Sequence, residues 1–274
     1  MTSPGRTGAA ALAAVARRDF RIQRTYPEQF LLLMANIPFV LFTYFFLGRL
    51  VGHPAPLAGF SGGYFEFALI GFIMMTFAAV ALTTFAQTIT AEANGGTFEL
   101  LLACAGTRLW TVLAGAAVVP VAIATTQATV LLAAGAIISG AGFHFGAIGL
   151  ILPLVLLTIV VFGAFGVGSA AFILLAKRGD PLSTLLLEAT SLVSGALFPI
   201  ALFPGPLRLA ARLFPAYYGF EGMRELLLAG GGLSDVAGEI AVLAVFAAAL
   251  VPLSLRLFRG AIALSRDAGT LGTG

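Results

Sequence analysis

The chain is 274 residues long, 59% hydrophobic and only 10% charged, with a mean hydropathy of +1.03. A water-soluble domain of that size needs far more polar surface, so the composition excludes one. The net charge of +3 comes from cations gathered between apolar runs, which fits orientation in a membrane and gives no ground for a nucleic-acid partner.

Residues 10–27 come first and read as an interfacial helix. Arg17, Arg21 and Arg24 share one face, while Leu12, Val15, Ala16 and Phe20 line another. Such a helix lies along the cytoplasmic leaflet with its cations near lipid phosphates.

Apolar runs long enough to cross a bilayer follow at 30–50, 65–89, 109–139, 145–176, 182–203 and 236–257. Roughly 20 residues at about 1.5 Å each cross about 30 Å of hydrocarbon. No run shows the period-two alternation of a barrel strand, so the expected fold is an all-α integral membrane protein with six transmembrane helices. Pro120 and Pro153 fall inside the two longest runs and are expected kink points. The cations favour one side: Arg6, Arg17, Arg18, Arg21, Arg24, Arg108, Lys177, Arg178, Arg256, Arg259 and Arg266, against Arg49, Arg208, Arg212 and Arg224. That bias puts both termini in the cytoplasm. A single domain covers residues 1–274.

Two connections stand apart. In 91–108, AEANGGTFELLLACAGTR, Asn94-Gly95-Gly96 breaks the second run, Thr97 can cap a new short helix, and Glu99 complements its positive end. Leu100 to Leu102 then give it an apolar side, either for docking on a partner or for lying on lipid. The other, at 204–232, is too broken by Pro204, Pro206 and Pro215 to span and too apolar for a solvated loop. We expect a re-entrant pair of short helices over 207–214 and 219–228, dipping into the outer leaflet and packed over the bundle.

At these connections the chain resembles the ABC-2 type permeases, the membrane subunits of bacterial ATP-driven exporters of drugs, lipids and polysaccharides. Glu92, Gly96, Thr97, Glu99, Leu100 and Leu101 match that family's signature after the second span. Ser194, Gly195, Phe198, Pro199, Pro204, Leu213, Pro215, Glu221 and Arg224 match its fifth-span end and external hairpin. Ala105-Gly106 departs from the family, which often has a proline there. The resemblance implies that 91–108 holds the coupling helix, docked on a separate ATP-hydrolysing subunit present in two copies. It also implies a second permease copy, identical or paralogous, and a location in the bacterial cytoplasmic membrane. Phe198, Pro199, Pro215, Glu221 and Arg224 become the expected external gate.

The chain has no phosphate-binding loop, and its one lysine, Lys177, is followed by Arg178-Gly179-Asp180. It is therefore expected to be no enzyme and to bind no cofactor, with ATP and Mg used by the partner. The single Cys104 excludes an intrachain disulfide, and no metal site is expected from it with His53 and His144. Thr184, Glu188, Ser191 and Gly195 recur at helical spacing in the fifth run. They line either the translocation path or a dimer seam, or else Glu188 is a buried carboxyl bonded to a neighbouring helix. Glu66 reads as an interfacial carboxyl, Glu221 and Arg224 as an ion pair three residues apart, and Gly163, Gly166 and Gly168 as points of close helix approach. The leading reading is an exporter permease for an amphipathic drug, lipid or glycolipid. The alternatives are an ion- or proton-coupled carrier and an integral-membrane enzyme acting on lipids. Scattered single acids favour neither.

Overall fold

A computed structural model describes residues 13, 16–21, 27–52, 57, 60, 62–94, 109–140, 143–176 and 180–267, and among them there is no strand. The long helices are α1 (Pro27–Val51), α2 (Tyr64–Asn94), α3 (Leu109–Ser139) and α4 (Ile148–Ala176). A short α5 (Pro181–Val193) precedes the one-turn 3-10 helix Ile200–Leu202. The hairpin is α6 (Gly205–Leu213) and α7 (Pro215–Arg224), continued by a π turn over Glu225–Ala229, and α8 (Leu233–Asp267) closes the chain. Residues 16–21 are helical with Arg17, Arg18 and Arg21 exposed; Leu12, Val15 and Arg24 lie outside the described residues.

Five of these helices are long and apolar enough to cross a membrane: Leu31–Val51, Tyr64–Thr88, Ala114–Ser139, Ile148–Ala176 and Leu233–Leu264. The expectation of six spanning helices is corrected at 182–203. Only Pro181–Val193 is α-helical there, and its 13 residues reach about 20 Å, short of a hydrocarbon core. The helix stops because Gly195 turns into the left-handed region at φ 78°. A Cβ at that position would also stand 2.7 Å from Cγ1 of Ile200.

α2 is the centre of the bundle. Of its apolar window 72% is buried, against 11% for α1 and for α8, so the outer helices present their apolar faces outward. Lipid tails are as apolar as leucine, so burial alone does not drive such helices together; close packing does. Gly166 of α4 sits against the Leu82 and Ala81 carbonyls, Gly163 against Phe85, and Gly135 of α3 against Leu69. Gly168 faces open space and takes no part. α3 and α4 run unbroken through Pro120 and Pro153.

At the start of α2, Glu66 is buried and its Oε2 accepts the Gly63 N–H at 2.7 Å. Glu66, expected as an interfacial carboxyl, also forms half of a capping box, satisfying a backbone donor that the helix cannot.

Candidate functional site: a pinned hairpin over a broken helix

The run after α5 has no helix to absorb its backbone polar groups, which must find partners in a membrane protein. One partner comes from far along the chain. Arg224, at the end of α7, is 1% exposed and reaches between α2 and the break. Its Nη2 donates to the Ala196 carbonyl at 2.8 Å and to the Phe67 carbonyl at 3.3 Å. The guanidinium carbon also lies 3.5 Å from the centre of the Phe67 ring. Gly71, one turn further along α2, presses directly on the Ala196 carbonyl. Helix α5, the break and the hairpin therefore meet at one point on α2.

The expected Glu221–Arg224 pair forms, but loosely, at 3.8 Å, with the Glu221 side chain 38% exposed. Burial pushes the Glu221 carboxyl above its usual range; Arg224 pulls it back, and Glu225 and Glu239 add to the rise. Burial lowers the Arg224 guanidinium to about 10, opposed by Glu221 and Tyr64, so it stays charged at neutral pH. Its Nε finds no acceptor among the described residues.

The hairpin itself is ordered by local chemistry. Pro215 starts α7, where its missing N–H costs nothing, and Phe214 marks the corner between the helices. Tyr218 donates its hydroxyl to the Arg212 carbonyl at 2.8 Å and so fastens α7 to α6. Arg208 donates to the Ala201 and Phe203 carbonyls at 3.0 and 3.2 Å, tying α6 to the turn before it. Between α6, α7 and the start of α2 lies a cavity of about 260 Å³, lined among others by Pro199, Arg208, Arg212, Tyr217 and Glu221. Of the expected gate residues, Pro199 and Glu221 line this cavity and Pro215 and Arg224 are buried under the hairpin, while Phe198 is exposed.

On α5, Thr184 and Glu188 are exposed and Ser191 is half-buried. Ser191 donates to the Glu188 backbone carbonyl and Thr184 to that of Asp180. No described residue bonds the Glu188 carboxylate, so the reading of a carboxyl buried against a neighbouring helix of this chain is set aside. Gly195 is buried at the break and does not share their outward face.

The sequence reading passed over Asp180, whose carboxylate caps α5 by accepting the Ser183 N–H at 3.0 Å and also takes the Ser169 hydroxyl of α4. An aspartate directly before Pro181 was a readable start signal. It gave Gly71 and Phe67 no role and read Arg208 and Arg212 only as cations of one side; only the fold brings these four together. Of the six coupling residues, Glu92 lies in α2 with its side chain undescribed, and Gly96, Thr97, Glu99, Leu100 and Leu101 lie outside the described residues.

A family model for ABC-2 family transporter proteins matches residues 11–256, nearly the whole chain. The chain belongs to the ABC-2 transporter family. It is thus a membrane component of a transporter, multi-pass and non-catalytic. Permeases of this family work with ABC ATPase subunits, and the family implies that any ATP is used by such a partner. Among curated proteins none matches the chain.

Proposed function

We propose that this ABC-2 permease forms, with a second permease copy, identical or paralogous, the path of an ATP-driven exporter in a bacterial cytoplasmic membrane. It moves an amphipathic drug, lipid or glycolipid out of the cytoplasm or inner leaflet. The observation that carries this reading is the outward polar face of α5, where Glu188 stands exposed on a helix set among spanning ones. A carboxylate facing hydrocarbon costs at least a few kcal/mol, so water in a path or a second subunit must cover it.

Both termini are cytoplasmic, and the 91–108 connection docks on the ATPase through Glu92, Gly96, Thr97, Glu99, Leu100 and Leu101. Coupling then rests on partner contacts that differ between nucleotide states, because a ligand that binds both states equally moves neither. Pro199, Pro215, Glu221 and Arg224 hold the hairpin across the outer end of the path, and Phe198 faces out beside it.

The test is ATP-dependent export from proteoliposomes containing this chain and its ATPase. Loss of export on disrupting residues 97–102, and altered export in Glu188→Gln, are expected. Undiminished transport without the ATPase overturns the reading.

A further inference from the structure

The cavity beneath the hairpin has a chemistry that the gate role does not use. Its polar side carries Arg208, Arg212, Tyr217 and Glu221, and its apolar side is formed by Phe60 and Phe67 with their neighbours. Arg212 has no hydrogen-bond acceptor for its guanidinium among the described residues, and it is exposed while lining the cavity. Arg208 uses one of its nitrogens on the Ala201 and Phe203 carbonyls and keeps further N–H groups free. The two arginines are four residues apart on α6, so they point the same way. The one carboxylate in the lining, Glu221, is engaged by Arg224 from below. Glu225 and Glu239 also act on Glu221 but line no part of the cavity.

We propose that this cavity binds the anionic head of an amphiphile, a phosphate or carboxylate held by Arg212 and Arg208 with its apolar part against Phe60 and Phe67. Size supports a head and not a whole molecule: about 260 Å³ falls below the roughly 300–1,000 Å³ that encloses a drug-sized ligand. The remainder must extend outward, along the exposed Leu209 and Leu213 of α6 or into the outer leaflet. A guanidinium without an acceptor among the described residues, sharing its cavity with aromatic rings, favours this occupant over a free inorganic ion, which gains nothing from the rings. The anion comes from one of two sources, a resident anionic lipid or an outgoing anionic cargo. The inference rests on the hairpin facing outward, as the proposed function has it, but needs no transport.

The test is binding to the purified full chain in a neutral detergent, without ATPase, so that a failure here leaves the export reading standing. Probes are dihexanoyl phosphatidylglycerol, dihexanoyl phosphatidylcholine, decyl phosphate and inorganic phosphate. We expect at least one anionic amphiphile to bind about tenfold or more tightly than phosphatidylcholine, and Arg212→Gln to remove about tenfold of that affinity. Arg212 is exposed and holds no other element with its side chain, so this variant keeps its fold; Phe60→Ala is the second variant and also weakens binding. Preference for phosphatidylglycerol assigns a lipid head, and preference for decyl phosphate assigns a single-chain cargo. Equal binding of the neutral and anionic lipids, no effect of Arg212→Gln, or inorganic phosphate binding as well as the amphiphiles overturns the site.

Discussion

Gly71 of α2 faces the carbonyl oxygen of Ala196 so closely that no side chain fits between them. This contact, 125 positions apart in the chain, seats the broken end of α5 on the bundle centre and brings the Ala196 carbonyl to Arg224.

Gly71→Ala must therefore push the break outward and lengthen the Arg224 bond. Overpacking of this kind costs about 1–3 kcal/mol. A lowered Tm of the purified chain checks it, with Gly168→Ala, which meets open space, changing stability by less than about 0.5 kcal/mol.

Arg224→Met keeps much of the volume but leaves the Ala196 carbonyl without its donor and Glu221 without its counter-charge. The expected loss is about 3 kcal/mol, read by thermal unfolding. Arg224→Lys does not restore it, because a single ammonium cannot bridge two carbonyls while stacking flat on Phe67.

Glu221 gives the hairpin a pH dependence of fixed sign. Its folded carboxyl titrates above the unfolded one, chiefly through burial, against Arg224 and with Glu225 and Glu239. The folded state thus holds the proton more tightly, and this contribution to stability is present at acid pH and fades as pH rises through the folded value. Unfolding followed between about pH 4 and pH 7 should show that decline, and Glu221→Gln should flatten it.

Asp180→Ala removes the cap of α5 and the link to Ser169, for an expected cost of about 1 kcal/mol. Asp180→Asn, which still accepts hydrogen bonds, recovers most of that. The difference between the two variants in Tm separates capping from charge.

Much of this architecture was legible because hydrocarbon imposes a simple rule on sequence. The long apolar runs became helices, and α3 ended where its run ended. The corner at Pro215 was readable too, since proline deletes a backbone donor and sets its own φ. What composition concealed was the break after Val193. Residues 182–203 are apolar throughout apart from a few small polar groups and Glu188, and no hydropathy average reports a left-handed glycine. The pairing of Glu221 with Arg224 followed from their spacing, but the deeper role of Arg224 did not. Its acceptors, Phe67 and Ala196, are distant in sequence and offer backbone oxygens, which carry no residue signature. The capping role of Glu66 was hidden for the same reason, its partner being the N–H of Gly63.

Because a buried cation holds the hairpin to the interrupted helix and to the central one, the hairpin cannot swing free on its own. Hinging it alone would strip Arg224 from both oxygens and leave them bare in a place without water. In the proposed exporter, widening of the outlet would therefore carry α7, the end of α5 and the head of α2 as one block, with the yielding seam on the opposite side.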